Sequence, residues 1–393
     1  MVALSAVAML LVAFVGSLFM AWTIGAGSSG STPFAPAVGA NAISIMRAGF
    51  VVGLLGLAGA ILQGANVSRT VGSGLIQGAT LSPMTVVIGL FTAALLVTVG
   101  IFTGYPIATA FTVTGAVTGV GVALGGVPAW GTYQQTVALW LVIPFVGSGV
   151  AYGMARVLAD DRVPTGYTIG VLGVLITAVV VNMPFTILGP SGQSRSISAT
   201  FNSLLPAIVG ISRTVITLLF AGIVGAVLWR RHERSSVNTE RHFLLALGCL
   251  VAFSAGATQV GLAVGPLLPL LEEWSIPMTA VLAIGGLGLL AGSWTGAPRM
   301  IKALSQDYSA LGPKRSIAAL VPSFLIAQTA VFLGAPVSFN EIIVSAIIGS
   351  GYAAESAPVS ISKIRNTSVA WVTSLSLSGL CSYALVSVLL IVQ

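Results

Sequence analysis

The residues of this chain that could do chemistry are mostly uncharged. Four stretches set small hydroxyl and amide side chains beside Gly and Pro inside apolar sequence: Ala26–Gly39 (AGSSGSTPFAPAVG), Gly104–Gly121 (GYPIATAFTVTGAVTGVG), Gly256–Pro266 (GATQVGLAVGP) and Gly334–Gly351 (GAPVSFNEIIVSAIIGSG). They supply the candidate binding groups Ser28, Ser29, Thr32, Thr109, Thr258, Gln259, Ser338 and Asn340. An anion taken into a bilayer must exchange its water shell for hydrogen-bond donors. Hydroxyls, amides and free backbone N–H groups provide them without a full charge. Interrupted helices add unpaired N-terminal N–H groups and the positive end of a dipole. Ser and Thr also pack membrane helices together, so a single hydroxyl decides little; four such stretches together point to a site. Glu341 is the only carboxylate within them. An ionisable residue at membrane depth is costly and therefore a candidate coupling group able to carry a proton. A position at the solvated end of a helix is the alternative.

The elements that must position these residues are membrane spans. Of 393 residues, 56% are apolar and only 6% charged, against roughly 25% charged in soluble domains. No charged residue precedes Arg47, and none lies between Arg69 and Arg156. Since a span needs about 20 apolar residues, each of these blocks holds more than one. Spans are expected near Ala3–Ile24, Ala48–Leu62, Met84–Phe102, Val137–Val157, Thr168–Val181, Val215–Trp229, Phe243–Ala255, Met278–Leu290, Ile317–Phe332 and Thr367–Val392. The first has no basic stretch ahead of it and is too long for a signal core, so it reads as a retained span. The Gly-rich stretches Gly25–Gly39 and Pro106–Gly126 read as broken or re-entrant segments, tolerated at membrane depth only against protein or a watery cavity.

The net charge of +7 does not indicate nucleic acid, because the basic residues sit in short connections where they set topology. The most polar stretch, Arg230–His242, reads as a cytoplasmic loop dividing the chain, with His232 and His242 solvated. Arg299–Arg315 also belongs to a cytoplasmic face, and Gly189–Asn202 to an external loop. Cys249 and Cys381 lie in apolar sequence without CxxC spacing and read as packing thiols. No cofactor, metal cluster, P-loop or catalytic triad is indicated.

A gapless shift of 230 residues lays the chain on itself. Gly56 falls on Gly286, Arg69 on Arg299, Gly104 on Gly334, Pro106 on Pro336, Ala116 on Ala346, Gly119 on Gly349 and Gly121 on Gly351. A period this long indicates two homologous halves, a construction common among secondary transporters. The expected division is a first repeat over 1–125, linking spans and the basic loop over 126–242, and a second repeat over 243–393. Arg69 and Arg299 could attract an anion, although as positive-inside residues they need no such role.

The four stretches resemble the signature blocks of the inorganic phosphate transporter (PiT) family, which carries two copies of a G-A-N-D-V-A-N-A block, each followed by a G-x-P-x-S-T-T-H-like block. Ala26–Gly39 and Gly256–Pro266 resemble the first block, Gly104–Phe111 and Gly334–Glu341 the second, and Gln63–Ser68 is also similar. The resemblance covers about residues 20–125 and 245–355. It implies an alternating-access phosphate transporter. It also places the family's two sodium-binding acidic positions on Ser29 and Gln259, and the phosphate-contacting Asn positions on Ser28 and Thr258. The S-T-T-H segment reads Ala108-Thr109-Ala110-Phe111 and Ser338-Phe339-Asn340-Glu341. Donor character is kept while the carboxylates are not, which questions sodium coupling and is similar to the sulfate permease branch.

The expected protein is thus an all-α polytopic transmembrane bundle of two pseudo-symmetric repeats with broken helices. It is a multi-pass cell-membrane transporter rather than an enzyme, for phosphate or a similar oxyanion. Proton or sodium remains open as the coupling cation, and so does a homodimer. Sulfate permease and anion channel are the alternative functions. The alternative from a different class is a membrane-embedded enzyme or a non-transporting sensor; a membrane enzyme would need ionisable groups facing one another within the bilayer, and this sequence offers almost none.

Overall fold

Local rules already mark where the helices begin and end. Ser82 caps the helix that opens at Pro83: its Oγ accepts from the Thr85 N–H while Thr85 Oγ1 accepts from the Ser82 N–H, and proline is preorganised for the first turn. That helix ends at Gly104, whose φ of 73° closes it in the left-handed region that favours glycine. The same punctuation recurs 230 residues later, with Pro313 at the start of a helix and Gly334 at φ 65° closing it.

The protein is seen in a computed structural model that describes residues 2–190, 193–204, 212–271, 274, 276–308, 311–353 and 359–392. The first part runs through α1 (Val2–Ile24), a π-turn (Gly25–Ser29), α2 (Ala35–Gly39), α3 (Ile45–Gln63), α4 (Ala65–Ser73), α5 (Pro83–Thr103), α6 (Thr109–Ala123) and α7 (Trp130–Ala159). Three helices follow: α8 (Thr165–Asn182), α9 (Ile197–Leu204) and α10 (Arg213–Arg234). The last part is α11 (Ser236–Val264), a short 3-10 turn (Gly265–Leu267), α12 (Leu268–Leu271), α13 (Met278–Thr295), α14 (Ala297–Gln306), α15 (Pro313–Leu333), α16 (Phe339–Tyr352) and α17 (Ile361–Val392). The order and lengths of α1–α7 recur in α11–α17. Among the described residues, ten helices are long and apolar enough to cross a membrane. They correspond to the expected spans, and α6 and α16 are shorter.

Side-chain bonds sort the connections into two ends. At one, Arg241 Nε donates to Ala42 O (3.2 Å), Lys314 Nζ to Thr165 Oγ1 (3.1 Å), Ser316 Oγ to Pro36 O (2.7 Å) and Asn366 Nδ2 to Tyr105 Oη (3.2 Å). At the other, Gln63 Nε2 donates to Pro184 O (2.8 Å), Gly334 lies against Thr70 and Asn66, and strand Ile76–Gln77 pairs with Val127–Pro128. Of the 16 Lys and Arg, only Arg69, Arg195 and Arg213 fall at this second end, so the first is the cytoplasmic one. Helix α5 runs toward the basic end, whereas its counterpart α15 starts there and runs away. The two halves therefore cross the membrane in opposite senses.

Small residues bring the halves together. A methyl at Gly256 would collide with the Gly56 carbonyl, and one at Gly292 with the Trp22 carbonyl. So α3 meets α11, and α1 meets α13, at backbone contact, as small residues allow in membranes. Helix α7 packs on α16, and α17 on α6, so each half's last long helix covers the other half's short one.

Several local expectations change. Arg230–His242 is not a loop: α10 continues to Arg234 and α11 begins at Ser236, parted only by the extended Ser235. The basic residues Arg231, His232 and Arg234 suit the negative end of a helix dipole, so charge there did not mean loss of helix. His232 is not simply solvated, since its Nε2 lies 3.4 Å from Glu240 Oε1. Gly256–Pro266 is unbroken helix up to Val264, unlike the interrupted Gly25–Ser29. Cys249 is half-buried and Cys381 exposed, so the latter is not a core packing thiol.

Candidate functional site

Four elements bring the polar residues together. The π-turn after α1 carries Ser28; α11 carries Gln259; the extended links Tyr105–Ala108 and Ala335–Ser338 deliver the N-termini of α6 and α16. Gly104 and Gly334 make those links by stopping the preceding helices, and Pro106 and Pro336 keep them extended.

Gln259 is the hub. Its Oε1 accepts from Thr109 Oγ1 (2.7 Å) and Ser28 Oγ (3.4 Å), while its Nε2 donates to Val337 O (2.8 Å). Asn340 Nδ2 donates to Ile107 O (2.6 Å) and to Gly27 O (3.0 Å). Ser28, Thr109, Gln259 and Asn340 thus share one cluster, with Ser338 beside it at the N-cap position of α16 but making no side-chain capping bond. Three other candidates bond within their own segments. Ser29 Oγ donates weakly to Ile24 O (3.5 Å), Thr32 Oγ1 to Ser28 O (3.0 Å), and Thr258 Oγ1 to Ser254 O and Ala255 O (3.1 Å each). None of these residues, nor Glu341, is more than 2% exposed, so the cluster is closed to water.

Among the described residues, Ser338 Oγ, Asn340 Oδ1 and Glu341 Oε2 are buried without a partner. All three belong to the first turn of α16 or its cap. Buried polar atoms are normally paired, so a turn with three open ones, next to free helical N–H groups, is suited to a polar ligand. Glu341 is in the core rather than at a solvated helix end. Its counterpart under the 230-residue shift, Phe111, stacks on Trp140 with centroids 4.0 Å apart.

Two indoles that the sequence did not single out hold the links. Trp140 Nε1 donates to Pro336 O (2.9 Å) and Trp371 Nε1 to Pro106 O (2.8 Å), each from the opposite half. Their offset of 231 residues is one more than the repeat shift, so a search at strict register passes over them. A second buried group, Gln328, donates to Ser254 Oγ (2.7 Å) and Gln63 Oε1 (3.3 Å). It ties α3, α11 and α15 together.

The approaches to the two links differ. Beyond Gly334, a cavity of about 460 Å³ is lined by Thr70, Thr132, Gln135, Thr136, Leu139 and Ala335. Around Tyr105, at the basic end, Lys363 Nζ lies 4.3 Å from the ring centroid and 3.1 Å from Asp307 Oδ2, and Asn366 bonds the Tyr105 hydroxyl. Arg69 is exposed on a separate cavity of about 390 Å³ with Ser73 and Pro269, and Arg299 lies 5.9 Å from the Phe102 ring centroid. Neither arginine reaches the cluster by a hydrogen bond.

A protein of Thermococcus kodakarensis provisionally named a phosphate permease is 24% identical over 98% of both chains. The Arabidopsis thaliana protein named inorganic phosphate transporter 2-1, chloroplastic, is 23% identical over 91% of this chain and 68% of its own. A solved structure titled the sodium-dependent phosphate transporter shares the fold, with a TM-score of 0.78 at 22% identity over 98% of this chain and all of that one. The phosphate transporter family profile matches residues 24–382, which is nearly the whole of the bundle, including both links and the cluster between them. This multi-pass membrane protein belongs to the phosphate transporter family.

Proposed function

We propose that this chain moves inorganic phosphate across the membrane by alternating access. Binding takes place at the cluster of Ser28, Thr109, Gln259, Ser338 and Asn340, with Ser29, Thr32 and Thr258 belonging to the same stretches. One observation carries the reading: two short helices of opposite halves begin at one buried polar cluster, where their N-terminal N–H groups suit an anion. The halves comprise residues 2–159 and 236–392, since the recurrence of elements continues past residue 125 through α7 and α17; α8–α10 are inserted between them. Movement of one half against the other would open the link at Gly334 or the one at Gly104 in turn. Glu341 is the coupling group, a carboxylate at the anion-binding turn that takes up and releases a proton.

Uptake of radiolabelled phosphate into proteoliposomes tests the reading. Uptake should saturate, be competed by unlabelled phosphate well ahead of sulfate, and fall at least tenfold in Thr109→Val. An imposed inward proton gradient should stimulate the wild type but not Glu341→Gln, whose phosphate exchange persists. Preference for sulfate would reassign the substrate, and conductance without saturation would make the protein a channel.

A further inference from the structure

Two backbone carbonyls occupy equivalent places at the centre of this protein. Ile107 and Val337 are related by the 230-residue shift, and each lies two residues ahead of a short helix. Neither carbonyl is part of a helix ladder, and both belong to links that enter the membrane core. Exposed carbonyls of unwound membrane segments are positions that transporters use to coordinate a small cation. A cation there balances the carbonyl dipoles and offsets the missing hydrogen bonds.

Here both places are already taken by side-chain amides. Asn340 Nδ2 reaches Ile107 O at 2.6 Å and also Gly27 O at 3.0 Å. Gln259 Nε2 reaches Val337 O at 2.8 Å, and its own oxygen is held by Thr109 and Ser28. An amide –NH2 presents partial positive charge through two N–H groups and carries no acceptor on that nitrogen. It therefore does for these carbonyls what a bound cation would do. Asn340 and Gln259 are themselves 1% and 0% exposed, so the replacement is built into the core. The repeat-related positions of Asn340 and Gln259 are Ala110 and Ser29, which lack an amide. The second half therefore supplies both.

We infer that Gln259 and Asn340 are resident substitutes for an alkali cation at the Val337 and Ile107 carbonyls, so that transport by this chain needs no sodium at the centre of the bundle. The inference rests on the functional reading above and concerns the cation only. A carboxylate at either position would remove the N–H donors, leave the carbonyl facing an anionic oxygen, and create a place that an alkali cation must fill.

The experiment compares wild type, Gln259→Glu and Asn340→Asp in two readouts. The first is initial phosphate uptake into proteoliposomes with sodium, potassium or N-methylglucamine chloride at equal pH on both sides. Wild-type rates should agree within about twofold across the three salts. Both carboxylate variants should lose at least about tenfold in N-methylglucamine and recover as sodium is added, a cation-selective rescue that damaged packing would not show. The second is the melting temperature in detergent, which reads cation binding without transport through the stabilisation a ligand of the native state confers. Sodium should leave the wild type unchanged against N-methylglucamine and raise both variants. Wild-type uptake dependent on sodium, or a wild-type melting temperature that climbs with sodium and not with N-methylglucamine, would overturn the inference. Absence of phosphate uptake in every salt would defeat the functional reading, while the melting readout would still decide this one.

Discussion

Replacing Lys363 by Met tests whether the contacts around Tyr105 hold the basic end closed. Lys363 pairs with Asp307 at 3.1 Å, but their side chains are 16% and 44% exposed. A pair this open is worth about 0.2–1 kcal/mol. The Tyr105 ring at 4.3 Å adds about 0.5–1 kcal/mol of cation–π attraction. Methionine keeps most of the apolar stem, and the Asn366–Tyr105 bond survives. The loss is therefore about 0.7–2 kcal/mol, or roughly a threefold to thirtyfold rise in opening at that end. The assay is thiol labelling of Ala108→Cys, at the fully buried cap of α6, with Cys249 and Cys381 replaced by Ser. An impermeant reagent applied to the basic face of oriented vesicles should react faster with the Lys363→Met variant by that factor. Added salt should speed labelling of the parent protein, because exposed charges are screened, and should hardly affect the variant. Equal labelling rates with and without Lys363, or acceleration only from the opposite face, would refute the reasoning.

Trp140→Phe and Trp371→Phe should each lower thermal stability in detergent by a similar amount. Each leaves a buried proline carbonyl without its indole donor, at a cost of about 1–3 kcal/mol; a neutral result in either would contradict the paired role. Ser382→Ala should be neutral or slightly stabilising in the same melting assay, since this buried hydroxyl has no partner among the described residues. Burial pushes the Tyr308 hydroxyl above the ordinary tyrosine range, against the smaller lowering effect of its bond to Thr367 at 2.7 Å. Because the raised group favours the fold only while protonated, its contribution is complete below about pH 10 and lost above it. Melting temperature should therefore fall less steeply above pH 10 in Tyr308→Phe than in the wild type.

Much of the architecture could be read from residues alone. The absence of charge between Arg69 and Arg156, and the coincidence of Pro106 with Pro336, already imply several spans and a duplicated plan. The Gly104 and Gly334 positions, which the shift superimposes, are the helix stops that create both links. The stretches worth attention were also legible, because hydroxyl and amide side chains are conspicuous in apolar sequence. Their partners were not. Gln259 gains its role from Thr109, 150 residues away, and no local pattern encodes that distance. Thr258, its neighbour, points back into its own helix because successive positions on a helix face different ways. The basic stretch at Arg230–His242 misled for a physical reason: a helix end tolerates positive charge well, so polarity and a chain break need not coincide.

The exchange of final helices has a bearing on how the protein is made. Pro106 receives its indole donor from a residue 265 positions later, on a helix that leaves the ribosome long after it. At about 5–20 residues per second, the link before α6 waits roughly 13–53 seconds with that carbonyl unpaired. The wait takes place next to a medium that offers no water to satisfy it. Pro336, by contrast, emerges after Trp140 is already in place. The early half is thus assembled around a gap, which α17 later closes. A chain cut short before Ile361 would carry every residue of the hydrogen-bonded cluster and still leave one of its two links unlatched.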